Sequence, residues 1–292
     1  MGFRAALGLT LLPVVLSCGG SGSDTGEMID VGTHRLHIDQ AGTGAPAVVI
    51  DVGIGGRSEE WGPIRERIAE VTRILTYERA GYGRSEPGPL PRHSGRVADE
   101  LRALLTAASV PGPYVLVGHS LGGLNVQVFA ARYPEEVAGM VLLDPPPLGW
   151  LLGESFPDLR RMAEAMTNEW QAAADRGLAS TDPRARSEAE FLRAVASEHR
   201  EMLGESAALA AAIGSFGEIP LTVIASGVPN PLFGEAAEEY QGYWIEESRA
   251  VAARSTRGEF VLARESSHRL HEEASKIVEE TVLAMVRDLR GE

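Results

Sequence analysis

Ser120 has the surroundings that a nucleophilic serine needs. It stands in a Gly-x-Ser-x-Gly pattern between Gly118 and Gly122, after the apolar run Tyr114–Val117 and before the helix-like segment Asn125–Tyr133. Only residues without a Cβ let a strand and a helix approach closely enough to hold a serine in so sharp a turn. The turn would expose the hydroxyl at a helix N-terminus, where unpaired N–H groups favour a negatively charged acyl-transfer intermediate.

A serine hydroxyl is a poor nucleophile until an imidazole takes its proton, so the histidines are the next candidates. Five of the seven lie in the serine turn, in the predicted opening hairpin or in segments without a motif: His34, His37, His93, His119 and His199. His268 differs, because it lies in Glu265–His268 just after the last predicted strand. His271 is an alternative base, although capping of the final helix is its more ordinary role.

These motifs resemble those of the α/β-hydrolases, in the order expected for that family, from about Met28 to the C-terminus. The resemblance implies an α/β-hydrolase fold: a mostly parallel eight-stranded sheet flanked by helices, with a helical cap insertion. Glu265–His268 is similar to the family's Ser-Gly-His loop, with Ser267 in place of the glycine. The resemblance therefore implies His268 as the base.

The resemblance leaves two positions for the acid of the triad. In most relatives it follows the strand that corresponds to Leu221–Ala225, but this chain has Asn230 where the carboxylate would be. Asparagine can orient an imidazole but cannot stabilise its positive charge. A subset of the family, including some haloalkane dehalogenases, carries the acid one strand earlier, where this chain has Asp144. The implied triad is Ser120, Asp144 and His268; the alternative is that Asp144 only caps its strand.

A glycine-rich turn, Gly53–Gly56, follows another predicted strand. The family builds half of its oxyanion hole there, and the usual His-Gly reads Val52–Gly53 in this chain. The resemblance implies the backbone N–H groups of Ile54 and Leu121 as the two donors. The alternative is a loop that only reverses the chain. Arg79, in the next glycine-rich loop, is expected to bond nearby carbonyl groups, with substrate carboxylate binding as its alternative role.

Strand-like apolar runs alternate with helical patterns, which predicts a mostly parallel sheet covered by helices on both faces. The predicted strands are Met28–Val31, Arg35–Gln40, Ala47–Val52, Arg73–Tyr77, Tyr114–Val117, Val141–Leu143, Leu221–Ala225 and Glu259–Leu262. The first two form an antiparallel start. Pro63 fits a helix N-terminus, and Glu272–Leu289 is predicted to close the sheet as one helix.

The strand pattern stops between residues 148 and 217, where alanine-rich helical segments take over. The family inserts its cap at this point, so we expect the hydrolase core in two parts, residues 28–147 and 218–292. Large apolar side chains of the predicted cap are candidates for a substrate pocket: Phe156, Met162, Met166, Trp170, Phe191, Met202 and Phe216.

The N-terminus has the pattern of an export signal. Residues 1–17 are apolar with a single positive charge at Arg4, and the apolar part is shorter than the roughly 20 residues that span a bilayer. Val15–Cys18 resembles a bacterial lipoprotein box, and Cys18 is the chain's only cysteine. We expect lipidation of Cys18 and a flexible tether over residues 18–27, which predicts a membrane-anchored lipoprotein. The alternative is a plain signal peptide and a periplasmic or secreted protein.

The formal net charge of −14 argues against nucleic acid or an anionic membrane surface as a partner. The sequence carries no dinucleotide or P-loop signature, and neither a metal nor an organic cofactor is implied. The resemblance implies a serine hydrolase that cleaves small carboxylic esters through an acyl-enzyme. Alternatives are an amide, lactone or thioester hydrolase, a cofactor-free peroxidase, and a non-catalytic surface lipoprotein that binds a ligand or partner with its cap.

Overall fold

The computed structural model describes residues 26–292. The predicted signal peptide, Cys18 and most of the predicted tether lie outside the described residues. The strands are β1 (Glu27–Asp30), β2 (Arg35–Ala41), β3 (Val48–Asp51), β4 (Ile74–Tyr77), β5 (Tyr114–His119), β6 (Val137–Leu143), β7 (Leu221–Ser226) and β8 (Gly258–Ala263). The helices are α1 (Gly62–Ala69), α2 (Ser94–Ala107), α3 (Leu121–Arg132), α4 (Leu148–Leu151), α5 (Pro157–Leu178), α6 (Pro183–Met202), α7 (Glu205–Ala211), α8 (Ala237–Ala252), α9 (Leu270–Glu273) and α10 (Ser275–Arg290).

The eight strands form one sheet in the order β1-β2-β4-β3-β5-β6-β7-β8. β2 pairs antiparallel with β1 and with β4, and every pairing from β4 to β8 is parallel. The predicted fold class is therefore confirmed. Because parallel strands end at the same edge, the residues that follow β3, β5, β6, β7 and β8 are delivered to one side of the molecule, which is where ligands bind in open α/β sheets.

Successive residues of the central strands face opposite sides of the sheet and build two cores. Val115 and Val117 of β5 pack with α1 and α10, whereas Leu116 packs with α2, α3 and α8. All three valine and leucine side chains are at most 1% exposed. Burial of each such side chain stabilises the fold by about 1.5–3 kcal/mol, so these alternating runs hold β5 and the turn that follows it in place.

The C-terminal helical segment is broken where one helix was predicted. Ala274 has φ −125° and ψ 29°, which is outside the helical region and separates α9 from α10. Helix α10 nevertheless closes the sheet as predicted, since Val278, Val282 and Val286 are fully buried against it.

Helices α4 to α7 fill the connection between β6 and β7. Leu121 and Leu124 at the start of α3 share a buried apolar cluster with Leu151 and Leu159 of this insertion. The inserted helices therefore cover the N-terminus of α3. Among residues 26–292, no helix is long and apolar enough to cross a membrane.

Candidate active site

Ser120 occupies a strained turn between β5 and α3. Its φ of 53° and ψ of −120° are unfavourable for a residue with a side chain, at a cost of order 1–3 kcal/mol. The backbone N–H of Ser120 donates to the carbonyl oxygen of Leu143 at 2.9 Å, which ties the turn to β6. The surrounding sheet thus maintains a conformation that the turn would not adopt alone.

The two glycines of the pattern are required by close backbone contacts. A Cβ at Gly118 would lie 2.5 Å from the carbonyl oxygen of Gly122, and a Cβ at Gly122 would lie 2.1 Å from that of Asp51. Neither distance is possible for real atoms. The close packing of β5, α3 and the end of β3 is therefore possible only with glycine at both positions.

The turn after β3 and the start of α3 both border Ser120. A Cβ built on Gly53 would lie 3.5 Å from Cβ of Ser120, so the backbone that leads into Ile54 runs beside the serine. Leu121 is the first residue of α3, and N–H groups of a first helical turn have no acceptor within their helix. The two predicted oxyanion donors thus belong to segments that lie next to the serine.

Asp144 and His268 are hydrogen-bonded to each other. Nδ1 of His268 lies 2.7 Å from Oδ2 of Asp144, and Asp144 is only 1% exposed. Ser226, the last residue of β7, donates its backbone N–H to Oδ1 at 3.0 Å and its hydroxyl to Oδ2 at 2.7 Å. Gln241 donates in turn to the carbonyl oxygen of Ser226 at 2.8 Å. The buried carboxylate therefore has three donors around it.

Sequence reasoning missed Ser226 and Gln241. Ser226 could have been found, because Asp144 follows β6 directly and β7 pairs with β6 in parallel register. The residue at the end of β7 must then lie beside Asp144. Gln241 comes from the helix after β7, where no motif marks it.

A second histidine supports the loop that carries His268. His119 donates from Nε2 to the carbonyl oxygen of His268 at 2.8 Å, and the two rings are 4.8 Å apart. Burial, reinforced by the nearby His268 and His271, holds the pKa of His119 well below its usual value. His119 is therefore a neutral imidazole whose single proton is on Nε2.

The alternative residues for the base and the acid have other contacts. His271 lies in α9 and stacks on Trp61, with ring centres 5.0 Å apart. It does not cap α10, because the residue before α10 is Ala274. The side chain of Asn230 accepts from the backbone N–H of Leu232 at 3.0 Å and caps a short 3-10 turn.

Ser120, Asp144 and His268 border the same cavity, whose volume is about 160 Å³. Large side chains form much of its wall: Trp150, Met202, Phe233 and Trp244. An apolar cavity of about 150 Å³ is known to hold benzene. The space beside the serine therefore suits a group of about that size.

The wall of the cavity differs from the predicted one. Of the seven candidates from the predicted cap, only Met202 borders the cavity, while Met162 is 57% exposed and Phe216 packs in the sheet core. Phe233 and Trp244 follow β7 in the chain, outside the predicted cap. Their role could not be read from the sequence because it depends on how α8 docks.

Arg79 lies beneath the turn after β3. It donates from Nη1 to the carbonyl oxygen of Val52 at 2.7 Å and to Asp51 at 2.6 Å, and from Nη2 to the carbonyl oxygen of Gly53 at 3.1 Å. Burial alone would lower the pKa of Arg79. The negative charges of Glu198 and Asp51 together have the larger effect, and they hold the pKa of Arg79 well above its usual value. The expected bonding to nearby carbonyls is present. Substrate carboxylate binding is not supported, because the side chain is 1% exposed and does not border the cavity.

A family model described as alpha/beta hydrolase family matches residues 47–281. The uncharacterized protein YqjL of Bacillus subtilis is 28% identical over 246 residues, which cover 84% of each chain. The chain spans less than half the length of several further curated relatives that it matches.

Solved structures share the fold at low identity. A thermophilic esterase from Thermogutta terrifontis aligns with a TM-score of 0.65 and 20% identity, over 90% of this chain and 98% of that one. An epoxide hydrolase from Vigna radiata aligns with a TM-score of 0.65 and 14% identity, over 90% and 98% of the two chains.

Proposed function

Since the chain belongs to the alpha/beta hydrolase family, we propose that it is a serine hydrolase that cleaves small carboxylic esters. The observation that carries the proposal is the 2.7 Å contact between His268 and the buried Asp144, at a cavity that Ser120 also borders. A buried carboxylate at Nδ1 leaves Nε2 of the same ring as the base, which is the arrangement that activates a serine hydroxyl.

In the proposed mechanism, Ser120 attacks the ester carbonyl while Nε2 of His268 takes its proton. Asp144 holds the imidazole in the required tautomer and stabilises its positive charge. The backbone N–H groups of Ile54 and Leu121 bind the oxyanion, and the loss of one such donor typically lowers turnover by about 10²–10³. His268 then protonates the leaving alcohol. In the second half of the reaction, His268 takes a proton from the water that attacks the acyl-enzyme and gives it to the oxygen of Ser120 as the carboxylic acid leaves.

The nucleophile and the cavity narrow the substrate class. Relatives that act on halides or epoxides resemble this chain in fold but use an aspartate nucleophile, and this chain has Ser120 at that position. Large apolar side chains form one part of the wall of the cavity of about 160 Å³, which favours a short acyl chain or a single aromatic ring on one side of the ester. Amides, lactones and thioesters need the same catalytic groups, so they should be tested beside the esters in one substrate panel.

The test is mass spectrometry of the domain after reaction with a fluorophosphonate, beside Ser120→Ala and His268→Ala. The probe labels an activated serine whatever the natural substrate. We expect one adduct on Ser120 that is absent from both variants, followed by ester hydrolysis that is fastest for short acyl chains. A folded wild-type protein without an adduct would reject the proposal and favour a non-catalytic protein that binds a ligand through its cap.

We also propose that the protein is exported and anchored through a lipid on Cys18. The support is the sequence pattern alone: an apolar, singly charged segment before a lipoprotein-like box and a glycine- and serine-rich stretch after it. The small ester would then be cleaved at a membrane surface outside the cytoplasm.

A further inference from the structure

The buried carboxylate of Glu198 lies on the cap helix α6, outside the proposed triad. We propose that Glu198 is a positioning residue that fixes the direction of the oxyanion N–H of Ile54 through Arg79 and Tyr82. The inference rests on the proposed function, because it concerns the same oxyanion hole. It adds that the geometry of the oxyanion hole depends on how helix α6 docks.

Glu198 is completely buried and holds two side chains of the core. Its carboxylate accepts from Nε and Nη2 of Arg79, each at 2.9 Å, in a two-point contact. It also accepts from the hydroxyl of Tyr82 at 2.6 Å. Two-point arginine–carboxylate contacts fix orientation as well as distance, so Glu198, together with Asp51, fixes where the guanidinium of Arg79 points.

Arg79 and Tyr82 in turn hold the peptide groups on both sides of Ile54. Nη2 of Arg79 donates to the carbonyl oxygen of Gly53 at 3.1 Å. That carbonyl and the N–H of Ile54 belong to one planar trans peptide group and point in opposite directions. The hydroxyl of Tyr82 accepts from the N–H of Gly55 at 3.2 Å, which fixes the following peptide. With both neighbours held, the Ile54 N–H has one available direction.

One face of α6 docks on the loop that carries Arg79 and Tyr82. Phe191, Ala194, Val195 and Glu198 are spaced as i, i+3, i+4 and i+7, which is a single helical stripe. The ring of Phe191 meets Tyr82 edge-on with centres 5.2 Å apart. A Cβ at Gly81 would lie 2.7 Å from Cβ of Ala194, so only glycine lets the loop approach the helix this closely.

The charges of this cluster depend on Glu198. Arg79 has Asp51 and Glu198 as its carboxylate partners at 2.6 and 2.9 Å, and Arg92 lies 3.6 Å from Glu198. A buried cation that loses one partner must find another or become solvated. Without the Glu198 charge, Arg79 would shift toward Asp51 and withdraw its hydrogen bond from the carbonyl of Gly53, which would keep only the 3.2 Å bond from the N–H of Gly56. The oxyanion donor would then be misaligned while the substrate cavity remains intact.

The test uses Glu198→Gln and Tyr82→Phe, with Glu188→Gln on the exposed side of α6 as the control. The best ester from the substrate panel gives kcat and KM, and a boronic acid that forms a tetrahedral adduct with the serine gives an inhibition constant. We expect Glu198→Gln to lower kcat and boronic acid affinity together by tenfold or more, with KM within twofold of wild type. Tyr82→Phe should also lower kcat and boronic acid affinity, whereas Glu188→Gln should change neither quantity.

A folded Glu198→Gln variant with wild-type kcat, or with a change in KM alone, would overturn the inference. Thermal unfolding establishes that each variant is folded. If Glu198→Gln does not fold, Tyr82→Phe decides, because it keeps the Arg79–Glu198 contact and removes only the hydroxyl; wild-type kcat in that variant would overturn the inference. A wild-type protein that hydrolyses no ester would instead reject the proposed function.

Discussion

Ser226 donates both its backbone N–H and its hydroxyl to the carboxylate of Asp144, at 3.0 and 2.7 Å. Ser226 ends β7 and Asp144 follows β6, and the parallel pairing of the two strands holds these residues side by side. The carboxylate that contacts His268 is therefore fixed by the sheet itself. The loop that carries Asn230 contributes none of these bonds, which favours Asp144 as the acid.

The first prediction concerns the identity of the acid. Asp144→Asn should lower kcat by roughly 10⁴ with a near-normal unfolding temperature, because the amide cannot stabilise the imidazolium. Asn230→Ala should change kcat little, since its side chain caps a 3-10 turn. Ester hydrolysis and thermal unfolding measure both effects. The reverse ranking of the two variants would assign the acid role to the loop after β7.

The second prediction concerns the support of that acid. Ser226→Ala removes one of three donors to Asp144, and a hydrogen bond to a charged group is worth about 1.5–3 kcal/mol. Because the backbone donor remains, we expect a loss in kcat of roughly tenfold at unchanged KM. Ser215→Ala, which removes an exposed hydroxyl, is the control. Equal activity of the two variants would show that the Ser226 hydroxyl has no effect on the acid.

The third prediction concerns the backbone contact beneath the nucleophile. In Gly122→Ala the new Cβ would meet the carbonyl oxygen of Asp51 at 2.1 Å, so destabilisation should exceed about 3 kcal/mol or abolish folding. Gly242 lies in the middle of α8 on its exposed side, where a new Cβ would meet no neighbouring segment of residues 26–292 within 4 Å, so Gly242→Ala should instead stabilise by about 0.5–1 kcal/mol. Denaturant unfolding compares both with wild type. A neutral Gly122→Ala would contradict the packing described above.

The fourth prediction concerns pH. Burial lowers the pKa of His199 to about 4, with Arg160 as a smaller cause, from 6.5 in the unfolded chain. Between these values the unfolded state binds the extra proton, so stability falls as pH decreases from 6.5 to 4, by up to about 3 kcal/mol. His199→Gln should show a smaller loss over this interval in denaturant titrations at fixed pH values. Identical pH profiles would exclude His199 as a source of acid sensitivity.

The fifth prediction concerns the membrane anchor. Cys18→Ser should move the protein from the membrane fraction to the soluble fraction of a bacterial host, because the mutated residue cannot receive a lipid. Fractionation with an antibody to the domain measures the distribution. An unchanged distribution would reject lipidation of Cys18 and leave a plain export signal as the explanation of residues 1–17.

Much of the fold followed from the sequence because its signals are local. Each predicted strand overlaps an observed one, since apolar runs bounded by glycine or polar residues mark buried strands. The break at Ala274 was missed because the apolar spacing of α10 continues into α9 without a glycine or proline to interrupt it.

The residues of the candidate site were also predicted only in part. Ser120, Asp144 and His268 each follow a strand, and the parallel sheet brings such positions to one edge. Trp244 and Glu198 could not be found, because their contacts depend on how α8 and α6 pack against the rest of the fold. Phe233 could not be found because it lies in the 3-10 segment before α8, where no helical or strand pattern marks it. Helical spacing identifies a buried face but not the partner that it meets.

The position of His268 has a consequence for biosynthesis. Its loop follows β8, the last strand and an edge of the sheet, whereas Ser120 and Asp144 belong to earlier strands. A domain generally folds as one unit, and synthesis delivers its C-terminal strand last. A nascent chain that ends before β8 would contain the proposed nucleophile and acid but not the proposed base. On the proposed function, the chain would be inert toward esters while it leaves the ribosome, and it would become reactive only when β8 pairs with β7 and brings His268 to Asp144.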